Sequence, residues 1–183
     1  QGLGDGLDED AYAVRMMADR LPELVIASSC SKNFGLYRER TGSITFIAET
    51  SEQADIVASQ AMSIARQIYS MPPAHGALLV SLILGDQQLR ANWEAELTEV
   101  RTRIQSMRSL LADNIQKNAA GIDFSHIKQQ KGMFSFLGVS TAQLDQLREE
   151  FGIYIVSSSR VNLAGINSSN IDYLSESIIS VLK

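Results

Sequence analysis

The sequence predicts an α/β protein in two parts, and three observations carry that expectation. Short apolar runs that read as strands alternate with amphipathic stretches of helical period. Residues 88–117 contain neither proline nor glycine, and Leu89, Trp93, Leu97, Val100, Ile104, Met107, Leu111 and Ile115 recur there at intervals of three and four. A helix of about 30 residues is a rod of roughly 45 Å, longer than a small domain is wide. It is expected to bridge two bodies; a coiled coil is disfavoured because the seam is short and isolated. The boundary is placed inside it, giving one part over residues 1–98 and another over 99–183. Beyond Gly121 the order reads strand, helix, strand, helix.

The bulk numbers exclude several classes of function. The 183 residues suffice for a substantial core. Apolar residues make up 45% and charged residues 20%, an ordinary soluble composition. A net charge of −5 offers no basic face for nucleic acid. Cys30 is the single cysteine, so no disulfide forms within the chain, which points to a reducing, cytoplasmic setting. The longest apolar run, residues 77–84, is interrupted by Ser81 and ended by Gly85-Asp86, too short for a membrane helix. No metal ligand set stands out.

In chain order, residues 8–20 carry Ala11, Val14 and Met17 at helical spacing, and Pro22 ends that helix. Residues 24–29 are a buried strand, and residues 43–48 a second one. A helix starts at Ser51 and runs to Tyr69, with Ile56, Val57, Met62, Ile64 and Ile68 as its buried stripe. Pro72-Pro73 then demands extended backbone. A short apolar helix covers residues 77–84, and Asp86 caps the long one. Residues 133–137 alternate as a strand. Residues 141–151 form a helix capped by Ser140, with Leu144 and Leu147 inward, ending at Gly152. Strands at 153–156 and 161–164 flank a hydroxyl-rich bend carrying Arg160, and an amphipathic helix over 170–182 closes the chain.

Chemistry concentrates just past the first strand. Lys32 stands there among Ser28, Ser29 and Ser31, with Arg40 eight residues on. One amine and one guanidinium fit a lysine that holds an aldehyde cofactor covalently, while hydroxyls and a fork-shaped cation hold its phosphate. Ser31-Lys32 alone would be satisfied by a solvated polar turn, since short motifs recur by chance. Ser28 and Cys30 alternate to the other side of an extended segment and read as packing, and Arg38 as a solvated side chain. Arg160, isolated between two apolar strands, would be costly to bury unpaired; a ligand anion or a structural ion pair would answer that cost.

The longer strings are more specific. SSCSKNFGLYRERTG at residues 28–42, SMPPAHGA at 70–77, KGMFSFLG at 131–138 and SSSRVNLAG at 157–165 together closely resemble class I pyridoxal-phosphate aminotransferases, in the aspartate and aromatic amino-acid branch. The resemblance covers the whole chain, with no gap between Lys32, Arg66 and Arg160. It implies the C-terminal half of a fold-type I pyridoxal-phosphate-dependent transferase: the end of the large mixed-sheet domain, the connecting helix and a small α+β domain. The implied reaction moves an amino group between aspartate or glutamate, or an aromatic amino acid, and a 2-oxoacid in a ping-pong cycle.

The resemblance also implies the site. Pyridoxal 5'-phosphate is the cofactor, Lys32 its anchor and the proton shuttle, and Ser29, Ser31 and Arg40 its phosphate ligands. Arg160 grips the substrate α-carboxylate. Arg66, 34 residues after Lys32, reaches the distal carboxylate in the partner's site of a homodimer; by periodicity alone it is a surface residue. Phe134 and Asn162 line the pocket, whereas His75 is read as packing beside the diproline turn. In that family an aspartate for the pyridine nitrogen, a tyrosine for the ring oxygen and an aromatic stacking on the ring lie upstream of the segment resembling Gln1. This chain by itself is therefore expected to be an inactive part with apolar faces uncovered. The alternatives are a lyase on the same fold, against which Arg66 argues, and a non-catalytic fragment that dimerises or scaffolds.

Overall fold

The computed structural model describes residues 1–119 and 121–183. Two compact units result: one comprises Gln1–Gly2 and Gly6–Leu97, the other Leu3–Asp5 and Thr98–Lys183. The division falls inside the long helix, which spans Gln87–Asn118 (α5). The sequence expectation places residues 1–98 together in the first part. Residues 3–5 instead join the second, because Leu3 is buried, Gly4 O accepts a bond from Gln105 Nε2 at 2.6 Å and Asp5 pairs with Lys131.

The first unit opens with α1 (Leu7–Asp10) and α2 (Tyr12–Arg20) rather than the continuous helix expected over residues 8–20. Ala11 N–H bonds to Asp8 O, three residues back, and this tight turn ends α1. Strands β1 (Leu24–Ser29) and β2 (Gly42–Ile47) pair antiparallel, with Leu24 opposite Ile47 and Ser29 opposite Gly42. Helix α3 (Ser51–Tyr69) is capped by Thr50, whose hydroxyl accepts from Gln53 N–H at 3.2 Å, and α4 (His75–Gly85) follows the diproline.

The buried stripe expected on α3 does not form. No α3 residue is buried, and Ile56, Met62 and Ile68 are 55%, 67% and 72% exposed. An amphipathic face needs a second layer, and two strands cannot supply one wide enough. Leu97 is the one large apolar side chain of this unit buried among the described residues.

The second unit contains the core. Ile104, Leu111 and Ile115 of α5 are fully buried, along with Ile127 of α6 (Ser125–Lys128) and Leu147 of α7 (Thr141–Phe151). Ser140 and Gln143 form a reciprocal cap at the start of α7, and Gly152, at φ 63°, ends it. Strands β3 (Phe134–Phe136) and β4 (Arg160–Asn162) pair antiparallel, Phe134 opposite Asn162 and Phe136 opposite Arg160. A 3₁₀ turn, Leu163–Gly165, and α8 (Ile171–Leu182) complete the unit.

Two strand expectations are corrected here. Residues 153–156 join no ladder; Ile153 N–H bonds back to Leu147 O at the end of α7. The strand expected over 161–164 stops at Asn162, whose side-chain oxygen accepts from Ala164 N–H at 3.0 Å and turns the chain. No helix among the described residues is long and apolar enough to cross a membrane.

Candidate functional site

Residues 30–41 connect β1 to β2 and carry Lys32. Cys30 N–H bonds to Thr41 O at 3.0 Å, closing the loop at its base. A Cβ on Gly42 would lie 2.3 Å from Ser28 O, so only glycine lets the two strands approach this closely. Within the loop, Ser29 Oγ donates to Ser31 Oγ at 2.9 Å and itself accepts from Ser31 N–H at 3.1 Å. Ser31 is buried and Ser29 exposed. Arg40, at φ 52°, holds a backbone conformation uncommon outside glycine. Its Nη1 donates to Tyr37 O at 3.0 Å, leaving most of the guanidinium fork uncommitted. Burial pushes the Cys30 thiol up, away from thiolate reactivity, in keeping with a packing role.

Lys32 is half-buried, and its Nζ lies 4.4 Å from the centre of the Tyr37 ring. No carboxylate pairs with it among the described residues. The next two residues are clamped to α5: Trp93 Nε1 donates to Asn33 O at 2.7 Å, and Phe34 stacks on Trp93 with ring centres 4.5 Å apart and planes 8° off parallel. Asn33 Oδ1 is buried without a hydrogen-bond partner. The Lys32 amine, the two linked hydroxyls and the open guanidinium fork make a donor set that fits a phosphorylated aldehyde.

The start of α4 presses on the other end of the loop. A Cβ on Gly76 would stand 1.9 Å from Thr41 Oγ1 and 2.9 Å from Glu39 Cβ. Gly76→Ala is therefore expected to displace residues 39–41 and to cost about 1–3 kcal/mol, as overpacking does. A denaturant titration read at Trp93, whose indole is tied to the same loop, checks this; an unchanged midpoint would contradict the close packing.

The second unit holds a groove of about 370 Å³ lined by Phe134, Tyr154, Val156, Arg160, Asn162 and Tyr173. Arg160 Cζ sits 4.6 Å from the Phe134 ring centre. The expectation of a buried arginine between two apolar strands is corrected: Arg160 opens β4 and is exposed. Its charge needs no buried partner.

Residues 1–178 match the family described as aminotransferase class I and II. The chain belongs to that family. It is 52% identical over 182 residues to the aspartate aminotransferase of Haemophilus influenzae, covering 100% of this chain and 46% of that protein. The aromatic-amino-acid aminotransferase of Pseudomonas aeruginosa is 45% identical over 181 residues, covering 99% of this chain and 45% of that one. The crystal structure of the aromatic-amino-acid aminotransferase from Burkholderia pseudomallei, covalently bound to pyridoxal phosphate, superposes with a TM-score of 0.95 at 43% identity. It is matched over 100% of this chain and 46% of its own length. The chain thus spans about half the length of the relatives it matches.

In this chain the residues singled out by sequence fall into three places. Ser29, Ser31, Lys32 and Arg40 share the β1–β2 loop. Phe134, Arg160 and Asn162 share the groove of the second unit. Arg66 lies exposed in the last turn of α3. His75 is exposed at the first position of α4 rather than packed beside the diproline, because the helix begins at it and turns it outward. Sequence reasoning missed Tyr37 beneath the lysine amine and the Phe34–Trp93 clamp. The aromatic and backbone partners of the clamp are 60 residues apart, beyond any local periodicity; Tyr37, five residues after Lys32, was the available signal for a ring partner.

Proposed function

We propose that this chain is part of a pyridoxal-phosphate-dependent aminotransferase acting on aspartate or glutamate, or an aromatic amino acid, and a 2-oxoacid. The observation that carries the reading is the Lys32 loop: an amine set over the Tyr37 ring, on one loop with the Ser29–Ser31 hydroxyl pair and the open fork of Arg40. In this reading residues 1–98 belong to the large cofactor-binding domain of the C-terminal half and residues 99–183 to the small domain. Lys32 Nζ anchors pyridoxal phosphate, and Ser29, Ser31 and Arg40 hold its phosphate, the guanidinium by two parallel charge-assisted bonds. The bound cofactor supplies the electron sink that makes the substrate α-carbon acidic. With the cofactor bound, Lys32 Nζ would be the base placed to take the proton from that carbon and hold it as an ammonium. Arg160 fixes the substrate α-carboxylate above Phe134, and Arg66 binds a distal carboxylate in the site of a partner subunit.

The dicarboxylate preference rests on the two arginines, one for each carboxylate. A lyase on the same fold has no need of the second. The exposed apolar faces of α3 and α4 favour a second reading, in which this chain alone serves only to dock with another.

The experiment has two arms. Borohydride reduction of the chain incubated with pyridoxal phosphate, followed by peptide mapping, is expected to find the label on Lys32. Aspartate–oxoglutarate transamination is expected to be absent with the chain alone and to emerge when it is mixed with the complementing N-terminal half. Label on another lysine would overturn the reading, and turnover by the chain alone would overturn the division of labour between the halves.

A further inference from the structure

Arg108 is an unusual choice for its place. It lies on α5 four residues after Ile104 and three before Leu111, both fully buried, so it occupies the helix stripe that forms the core. It is itself 3% exposed. Among the described residues no carboxylate forms an ion pair with it: Asp5 lines the same small cavity but pairs with Lys131, and Asp113 pairs with Lys128. Burial accordingly pulls its affinity for a proton down. An apolar side chain would pack here at lower cost.

What Arg108 does instead is bracket β3. Its Nε donates to Ser135 Oγ at 3.2 Å, and its Nη2 donates to Gly132 O. Gly132 has φ 83°, so the acceptor carbonyl sits at a left-handed turn just before the strand. The two acceptors lie on either side of Phe134. Along a strand successive side chains alternate, so Ser135 faces the buried guanidinium while Phe134 faces the opposite side, where Arg160 covers its ring at 4.6 Å. A planar fork bonded at two points sets the rotation of the strand between them; a lysine, with one nitrogen, cannot hold both acceptors in a fixed plane.

We propose that Arg108 is a positioning residue for the Arg160 groove, holding β3 so that Phe134 lies under the guanidinium that receives the substrate carboxylate. The position of the ring follows from the geometry alone, whereas its use for a carboxylate rests on the function proposed above. Holding Phe134 there restrains a flexible arginine through its contact with the ring, and this lowers the ordering cost of binding an anion.

The test uses the 183-residue chain in solution. In the NMR spectrum of the wild type, the Arg160 side-chain protons are expected to be shifted upfield by the Phe134 ring, and acetate, as a carboxylate probe, should perturb them on titration. Arg108→Lys is expected to remove most of that upfield shift, and Ser135→Ala part of it, while the core methyls of Leu147 and Ile178 stay at their wild-type positions. Acetate should bind roughly two- to fivefold more weakly in Arg108→Lys, the range expected for losing an exposed cation–π contact. A filler role would move the core methyls and leave the Arg160 shift in proportion to the folded fraction. An Arg160 shift that survives in folded Arg108→Lys overturns the proposal. Where that variant does not fold, an unmoved Arg160 in Ser135→Ala overturns it instead. Acetate without effect on wild-type Arg160, with the ring shift still dependent on Arg108, would defeat the carboxylate reading and leave the positioning role standing.

Discussion

In the aminotransferase proposed above, Lys32→Ala is expected to lower kcat by at least about 10⁴-fold, the upper range of a positioned proton-transfer group, because on that reading the same substitution also removes the covalent anchor. The fold should survive. Lys32 is half-buried, and its amine touches the Tyr37 ring rather than a core side chain or a carboxylate. Losing that contact costs about 0.5–1 kcal/mol, a small fraction of a domain's stability. Turnover and thermal midpoint measured on the same preparation check the pair of statements. A variant that kept substantial turnover would remove Lys32 from the chemistry, and one that failed to fold would show that the loop depends on its amine.

Arg160→Ala and Arg66→Ala are expected to differ in kind. Every amino-acid substrate carries an α-carboxylate, so Arg160→Ala should reduce kcat/KM for aspartate and phenylalanine alike. Arg66→Ala should spare phenylalanine and reduce kcat/KM for aspartate by roughly 30- to 1000-fold, equivalent to about 2–4 kcal/mol for truncating one partner of a charge-assisted pair. Arg66 is exposed on α3 and Arg160 is exposed at the start of β4, so neither substitution leaves a cavity or an orphaned buried partner in this chain. Any loss then reports the substrate contact. Equal losses for the two substrates in the Arg66 variant would contradict its assignment to a distal carboxylate.

Much of the candidate site was legible because it is local. Ser29, Ser31, Lys32 and Arg40 lie within one β1–β2 connection, and a strand followed by small hydroxyl residues places them on the same loop whatever the rest of the chain does. The contact of Phe134 with Arg160 was not legible, since 26 residues of sequence separate them and the β3–β4 register brings them together. The buried stripe of α3 and the strand at 153–156 were misjudged for a shared reason. Apolar periodicity reports which face a segment would bury, and the burial itself depends on whether another layer or another strand is there to receive it.

Sequence by itself determined the longer helices to within a residue or two, because their ends follow from caps, prolines and period; the break at Ala11 and the short α6 were not among them. Thr50 before α3, the Ser140–Gln143 cap of α7 and Gly152 behind it act over one helical turn. The unbroken α5 also follows locally, from the absence of glycine and proline over residues 88–117. Tertiary structure alone decided where the charges went. Whether Arg160 is buried, whether Lys32 faces a carboxylate or a ring, and why an arginine rather than a leucine stands at position 108 all turn on partners contributed by other elements. A helix or a turn is stabilised by neighbours a few residues away. The environment of a charge is set by whatever surrounds it in space, and the energy of burying one is large enough that a single distant acceptor changes the outcome.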